Sequence, residues 1–567
     1  MGYALAEIDL MIQDEKFGTT GEKLVEQKKL KLDDDEYDRF LDGPTCRRIA
    51  IVDFEPATGA PLGAPATFTP FTASTPTRGR FKTEGMKRDS PEFLAVNAFG
   101  TVFETVRMFE ESGALGRRVS WAFEGEQLLV VPRAGEWANA FYDRSTRSLQ
   151  FFWFESGEGR VYTALSRDIV AHECGHALLD AVIPSLHDAS GAESLAIHEG
   201  VADLVAVLMA LRSAGLRQKV LEQNDNSISN ATAFSSIAEQ FGIARPRPDD
   251  PHPHALRDLL NDNTMTSVSR TNPHQLSTVL SAIFYETLVD IFERGKSLWS
   301  TPAPGEKPMN ADHAANRSLG IAADIFRRLL LRGIEYMPPG ELTFGDVGRA
   351  TLAADNATDP DGTSEGKTEV RQRLAQRFVE RGVVSAVTDL ALLAPQELNI
   401  APADLADIRD SDWAAYAYVE KHRAAFGIAE GVSFKVLPRV DATKKIGSGD
   451  STQRELILKV SWDSVEANGS PAIPAAKRRV RTGATLAVRW DDGRVLALVG
   501  SDVMRAEQRE GRDRFLTSLL SGSRVAVVED GDAAPQPPPA SRVEVRIMGD
   551  VARVTGTERL LHIEEMD

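Results

Sequence analysis

The 567-residue chain has only two cysteines, Cys46 and Cys174. Two thiols exclude a disulfide framework and a cysteine-rich zinc site. Basic charge is also scarce: 65 Lys and Arg against 83 Asp and Glu leave a net charge of −18. That balance argues against nucleic acid or an anionic membrane as partner, because both select a basic face. No apolar run is expected to be long enough to span a bilayer. The N-terminal residues lack a basic stretch followed by an apolar one, so no signal peptide is expected and the expected location is cytoplasmic. What is present is the composition of a soluble globular protein, 42% hydrophobic and 26% charged, long enough for two to four domains.

Taken in order, residues 1–43 are highly charged and read as a solvated arm or an isolated amphipathic helix. Arg47–Phe54 reads as a strand, and the Pro-, Gly- and Thr-rich stretch 55–84 as a long loop. Ser90-Pro91 is an N-cap followed by proline at the first helical position, opening a long amphipathic helix through Phe109. Val119–Phe123 and Gln127–Val131 are expected to pair around the turn Glu124-Gly125-Glu126. Ala138–Tyr142 and Leu149–Phe154 are a second expected strand pair. From 193 to about 382 the pattern is mostly helical, with the polar loop Asp359–Ser364 near its end. Beyond 385 come a helical stretch, Pro402–Phe426, and then β-like runs, with Asp491-Asp492-Gly493 as a hairpin turn and Ala533–Ala540 as a Pro-rich spacer.

One stretch carries the chemistry: Val170-Ala171-His172-Glu173-Cys174-Gly175-His176, an H-E-x-x-H in a helical segment with Ser166 as N-cap. At helical spacing His172 and His176 lie one turn apart on one face, where two imidazoles can share a metal ion. Two hydrogen-bonded helix histidines are the plain alternative. A hydrolytic zinc site needs a third protein ligand and an open position. Glu199 lies 23 positions after His176 on the next helix, in Ile197-His198-Glu199-Gly200-Val201-Ala202-Asp203. Two helices joined by a short loop pack antiparallel, so this carboxylate can meet the imidazoles. Asp203, one turn on, can accept the outer N–H of a ligand histidine.

The pair HECGH and HEGVAD resembles the gluzincin metallopeptidases of thermolysin and fungalysin type, over about residues 90–385. The resemblance implies Zn2+ on His172, His176 and Glu199, with Glu173 as general base. It implies that Asn139 and Ala140, in Asn139-Ala140-Phe141-Tyr142, lie on an edge strand that binds substrate backbone. It further implies that Arg257 and His274 contact the substrate carbonyl and its oxyanion. His198 stands where the prototype has asparagine, and it can bond a ligand imidazole. The prototype has an oxyanion-binding tyrosine between the two helices; Pro184–Ala192 has none, and His187 is the comparable donor. No acidic cluster for structural calcium accompanies Asp168.

The expected fold class is α+β: a thermolysin-like two-lobed unit, a mixed β lobe plus a helical lobe, followed by a mostly β C-terminal domain. The expected boundaries are 1–85 for the arm and extension, 86–185 for the β-containing lobe ending in the zinc helix, and 186–385 for the helical lobe. A helical connector spans 386–430 and the accessory domain 431–567. The expected activity is a zinc-dependent endopeptidase acting on peptide or protein. The rivals are a weakly active or inactive zinc-bearing scaffold working through its accessory domains, and a zinc aminopeptidase. A protein partner would dock on the C-terminal domain. No G-x-M-E-N type motif for a substrate N-terminus precedes the helix.

Overall fold

The computed structural model describes residues 4–12, 25–32, 38–55, 58–71, 78–157, 159–187, 189–230, 232–237, 257–301, 307–358, 367–446, 451–471, 473–522, 524–529, 543–557 and 560. The architecture is mixed α+β: N-terminal sheets, a central helical region and a mostly β C-terminal region. The loop Asp359–Ser364, the spacer Ala533–Ala540 and the acidic run Asp33–Glu36 lie outside the described residues.

The N-terminal residues correct the expectation of a solvated arm. Leu5–Met11 and Val25–Lys31 are paired antiparallel strands. Residues 55–84, expected as a long loop, supply strands too: Pro61–Leu62, Phe68–Pro70 and Arg78–Phe81. Four of these strands form one sheet, ordered Val25–Lys31, Leu5–Met11, Arg78–Phe81, Phe68–Pro70. The reason is visible in Leu5–Met11: Ala6, Ile8 and Leu10 are buried while Glu7 and Asp9 stay half-buried on the other face. This period of two is a strand signature that charge content obscures. The buried face lies on the helix Pro91–Glu110, where a Cβ on Gly100 would fall 2.2 Å from Ile8 Cδ1 and 2.5 Å from Leu10 Cδ2. Phe40, Phe68, Phe81, Phe99 and Phe103 close the same contact in tilted and edge-on pairs.

The Pro91–Glu110 helix begins as expected, with Ser90 Oγ accepting from Phe93 N and proline in the first turn. A second four-stranded sheet follows, in the order Ile49–Ile51, Leu128–Val131, Ser148–Phe151, Ala140–Asp143. Val119–Phe123 is not a strand, contrary to expectation. Both edges of Leu128–Val131 are already taken, by Ile49–Ile51 and Ser148–Phe151, so a hairpin partner has no place to pair. Val119 N instead donates to Glu110 Oε1 at 2.8 Å. Ala140–Asp143 is an edge strand of this sheet.

Helices Arg167–Val182, Ala192–Leu211, Pro273–Ser300, Ala311–Tyr336, Phe344–Ala357 and Lys367–Glu380 make the central region. The Ala192–Leu211 helix corrects the expectation that no run is long enough to span a bilayer. Its 20 residues are long and apolar enough to cross a membrane, yet the apolar stretch is wholly buried inside the protein. A helix mostly apolar on every side suits a core position, and its buried ionisable groups, His198, Glu199 and Asp203, gather at one point on it.

In the C-terminal region eight strands form one sheet, including Val440–Lys445, which the sequence pattern did not single out. The helix Ala506–Ser521 was likewise not anticipated. The sheet buries both faces. Leu456, Leu458, Val460, Leu486 and Val488 face the helices Pro402–Asp410 and Asp412–Lys421. Ile457, Ala487, Ala497 and Val499 belong to the main hydrophobic cluster, together with the central helices. Gly493, in the Asp491-Asp492-Gly493 turn, has φ +69°, a conformation that favours glycine.

Candidate metal centre

Two helices build the centre. The first, Arg167–Val182, is capped by Ser166, whose Oγ accepts from Ile169 N. The second, Ala192–Leu211, crosses it where Gly175 faces Ala202. A Cβ at Gly175 would lie 3.2 Å from both Ala202 Cα and Val205 Cβ. The missing side chain therefore lets the helices approach closely enough for Glu199 to reach the two histidines.

His172, His176 and Glu199 are all buried, and one ligand atom from each lies within 4.8 Å of the others. His172 Nε2 and His176 Nε2 are 3.1 Å apart. His176 Nε2 is 3.4 Å from Glu199 Oε1, and His172 Nε2 is 3.7 Å from Glu199 Oε2. Bonds of about 2.0–2.1 Å in tetrahedral geometry put ligand atoms about 3.3 Å apart. The three spacings bracket that value, and a two-imidazole, one-carboxylate donor set suits a divalent ion.

Outer contacts orient each donor. His172 Nδ1 lies 3.1 Å from Asp203 Oδ1. His176 Nδ1 lies 3.1 Å from His198 Nδ1. In both histidines this leaves Nε2 turned toward Glu199. Burial opposes a charge on His172, but Asp203, Glu199 and Glu173 together outweigh it and raise its imidazolium to about 9. The field at this point thus favours a cation.

Glu173 stands beside the ligands, and its Oε2 accepts from Tyr142 N at 3.0 Å. The edge strand Ala140–Asp143 is therefore tied to the motif helix through backbone. Tyr142 OH donates to Asp180 Oδ2 at 2.8 Å, and Arg144 Nε donates to the same oxygen at 2.8 Å. Burial, then Asp180, push the Tyr142 phenol upward, so it remains a donor. Tyr142, Arg144 and Asp180 escaped the sequence reading. The available signal was Asp180, one turn after His176 on the motif face, an acid among apolar residues.

The other expected residues fall as follows. His274 opens the Pro273–Ser300 helix, which Asn272 caps, and its Nδ1 lies 3.1 Å from Glu199 Oε2. Asn139 is 1% exposed, and its Oδ1 accepts from Ala140 N at 2.8 Å. Arg257 sits in the short strand Arg257–Asp258, paired with Ser236–Ile237; its side chain lies outside the described residues. His187 is buried, its ring 5.4 Å from His198 and 5.8 Å from Tyr142 between centroids.

No protein-family model matches the chain, and no curated protein matches it. The finding is a buried His-His-Glu group on two crossed helices that could hold a metal ion.

Proposed function

We propose that the protein is a zinc-dependent endopeptidase. The observation that carries this reading is the convergence of His172, His176 and Glu199 with Glu173 one position from a ligand histidine. The resemblance of HECGH and HEGVAD to gluzincins points the same way, as does a backbone edge at Ala140–Asp143 next to the site. In this reading His172, His176 and Glu199 hold the ion, with Asp203 and His198 fixing the two imidazoles. Bound zinc supplies Lewis acidity, lowering the pKa of water toward about 7 and polarising a carbonyl.

The chain's own groups do the rest. Glu173 Oε takes the proton of the attacking water and passes it to the leaving nitrogen. Tyr142 N–H donates to that carboxylate and holds it in place. His274, beside Glu199, and Arg257 are assigned to the carbonyl oxygen as charge builds there. The strand around Asn139 and Ala140 takes the peptide as an added strand, which reads backbone rather than sequence. The substrate is a peptide or protein. Nucleic acid and membrane do not suit a chain of net charge −18.

The test compares wild type with Glu173→Gln on denatured protein and on a peptide library, with bound zinc quantified in both. Both are expected to hold zinc, and only wild type to cut internal bonds. Equal cleavage by the two removes Glu173 from the mechanism. Zinc without cleavage in wild type favours the scaffold reading, and release of single N-terminal residues favours an aminopeptidase.

A further inference from the structure

The loop 183–191 joins the two helices that carry the ligand set, and its polar contacts lead outward to the C-terminal sheet. Lys459, on the strand Thr452–Ala467, donates Nζ to Val182 O at 3.3 Å. Val182 is the last residue of the motif helix, where carbonyls lack helical partners and a positive charge is favoured. Thr557 Oγ1 donates to Ala189 O at 2.5 Å. Ser190 donates its N–H to Glu341 Oε1 at 2.9 Å, and its hydroxyl to the same oxygen.

Glu341 in turn is held from the sheet. Arg512, on the helix Ala506–Ser521, places its guanidinium 3.6 Å from Glu341 Oε2 and is itself fixed by Glu466 and Val503 O. The backbone N–H of Glu341 donates to Arg481 O, on the strand Lys477–Arg489, at 2.9 Å. Gly340 has φ +115°, and a Cβ there would meet Arg481 O at 2.7 Å, so this turn lies directly on the strand. Its N–H donates to Ser185 Oγ at 2.6 Å. Ser194 Oγ, in the first turn of the helix bearing Glu199, bonds both N and O of Leu342 at 2.9 Å.

Contacts from the C-terminal region thus reach Val182 and Ala189 directly, and through the Gly340–Leu342 turn, seated on Arg481 O, they reach Ser185, Ser190 and, in the first turn of the Glu199 helix, Ser194. A metal site requires its donors held within about 0.5 Å. We propose that the C-terminal sheet is a positioning element of the metal centre. Through Arg512–Glu341–Ser190 and Lys459–Val182 it fixes residues 183–187 and 189–191, and with them the distance from Glu199 to His172 and His176. Arg512 and Lys459 are positioning residues in this scheme, and the scheme rests on the metal reading of the site.

The test uses the full chain loaded with zinc or with cobalt(II). Zinc affinity is measured by competition with a chelator, and ligand geometry by the visible bands of cobalt. Arg512→Met leaves Glu466 paired with Arg478 while removing the cation beside Glu341. The variant is expected to bind zinc more weakly, by up to about tenfold, which is the low end for groups that bond a ligand directly, because Arg512 acts through Glu341 and Ser190. Its cobalt bands are expected to shift or weaken. Arg512→Lys is expected to restore most of the affinity. Lys459→Met tests the second route, is expected to act in the same direction, and decides the matter if Arg512→Met does not fold. Arg371→Met, which breaks an ion pair with Asp355 elsewhere, is expected to leave the cobalt bands unchanged. Wild-type affinity and bands in Arg512→Met and Lys459→Met, whatever their melting temperatures, overturn the proposal. A wild type that binds neither metal overturns the metal reading itself and this proposal with it.

Discussion

His198 Nδ1 lies 3.1 Å from His176 Nδ1, on the side of the ring away from Glu199. A histidine immediately before a candidate ligand therefore orients another candidate ligand on the facing helix. The same job on His172 falls to Asp203. Each imidazole is held by its outer nitrogen, so its inner nitrogen has one direction to face.

Removing that restraint gives the first prediction. His198→Ala is expected to weaken metal binding by about 10- to 100-fold, the range for outer partners of ligand histidines. His198→Asn keeps a polar atom for His176 Nδ1 and is expected to lose far less. Chelator competition on both proteins is the measurement. Equal affinities in wild type and His198→Ala would remove His198 from the site.

Gly175 gives the second. A methyl there meets Ala202 Cα and Val205 Cβ at 3.2 Å, and the first of these is helix backbone that cannot turn aside. Helix propensity favours alanine by about 1 kcal/mol. Overpacking between fully buried helices costs about 1–3 kcal/mol. The expected net effect of Gly175→Ala is a loss of up to about 2 kcal/mol, with a fall in metal affinity as the helices separate. Urea denaturation and chelator competition report the two separately. A variant more stable than wild type with unchanged affinity would show that the crossing tolerates the methyl.

A third prediction concerns acid. Glu335 is fully buried; burial alone would raise its carboxyl, but Arg117, Lys459 and Lys444 prevail and hold it at about 2, against 4.5 for the free group. Arg117 Nε and Nη2 donate to it at 2.8 and 3.0 Å. The unfolded chain takes up this proton first as pH falls, so the contribution to stability is complete above about pH 4.5 and is lost as pH falls through about 2. Glu335→Gln leaves the Arg117 and Lys459 charges without their carboxylate, which costs about 3–5 kcal/mol for a broken buried pair. Denaturant titrations at pH 7 and pH 3 are expected to show a large gap between wild type and variant at the first pH and a smaller one at the second. A gap independent of pH would mean that the carboxylate charge is not what matters.

The elements that were legible in sequence are those with local signatures. Ser90-Pro91 and Ser166 mark helix starts because a side-chain oxygen and the next few amides suffice to cap a helix. The strands Lys477–Arg489 and Val495–Gly500 were partly visible as β-like runs on either side of the turn Asp491-Asp492-Gly493. Val119–Phe123 failed as a strand because pairing depends on which edges remain, and that is decided by Ile49–Ile51, some seventy positions earlier. The N-terminal sheet was hidden for two other reasons: charge masks the period-two pattern of Leu5–Met11, and the parallel pairing of Leu5 with Arg78 joins positions too far apart in sequence for any local pattern to show it.

For the candidate site, the sequence by itself determined the donors. The spacing of His172 and His176 follows from the helical repeat, and the acid on the next helix follows from a short connection. Which atoms actually meet was decided by tertiary structure. Glu199 comes within 3.4 Å of His176 because Gly175 lets two helices cross closely. Glu173 is held by Tyr142 because an unrelated sheet ends there. The loop between the ligand helices is braced by Lys459, Arg512 and Thr557, residues far along the chain. Helical periodicity is a property of neighbours in sequence, whereas bracing across hundreds of residues exists only once the core has closed.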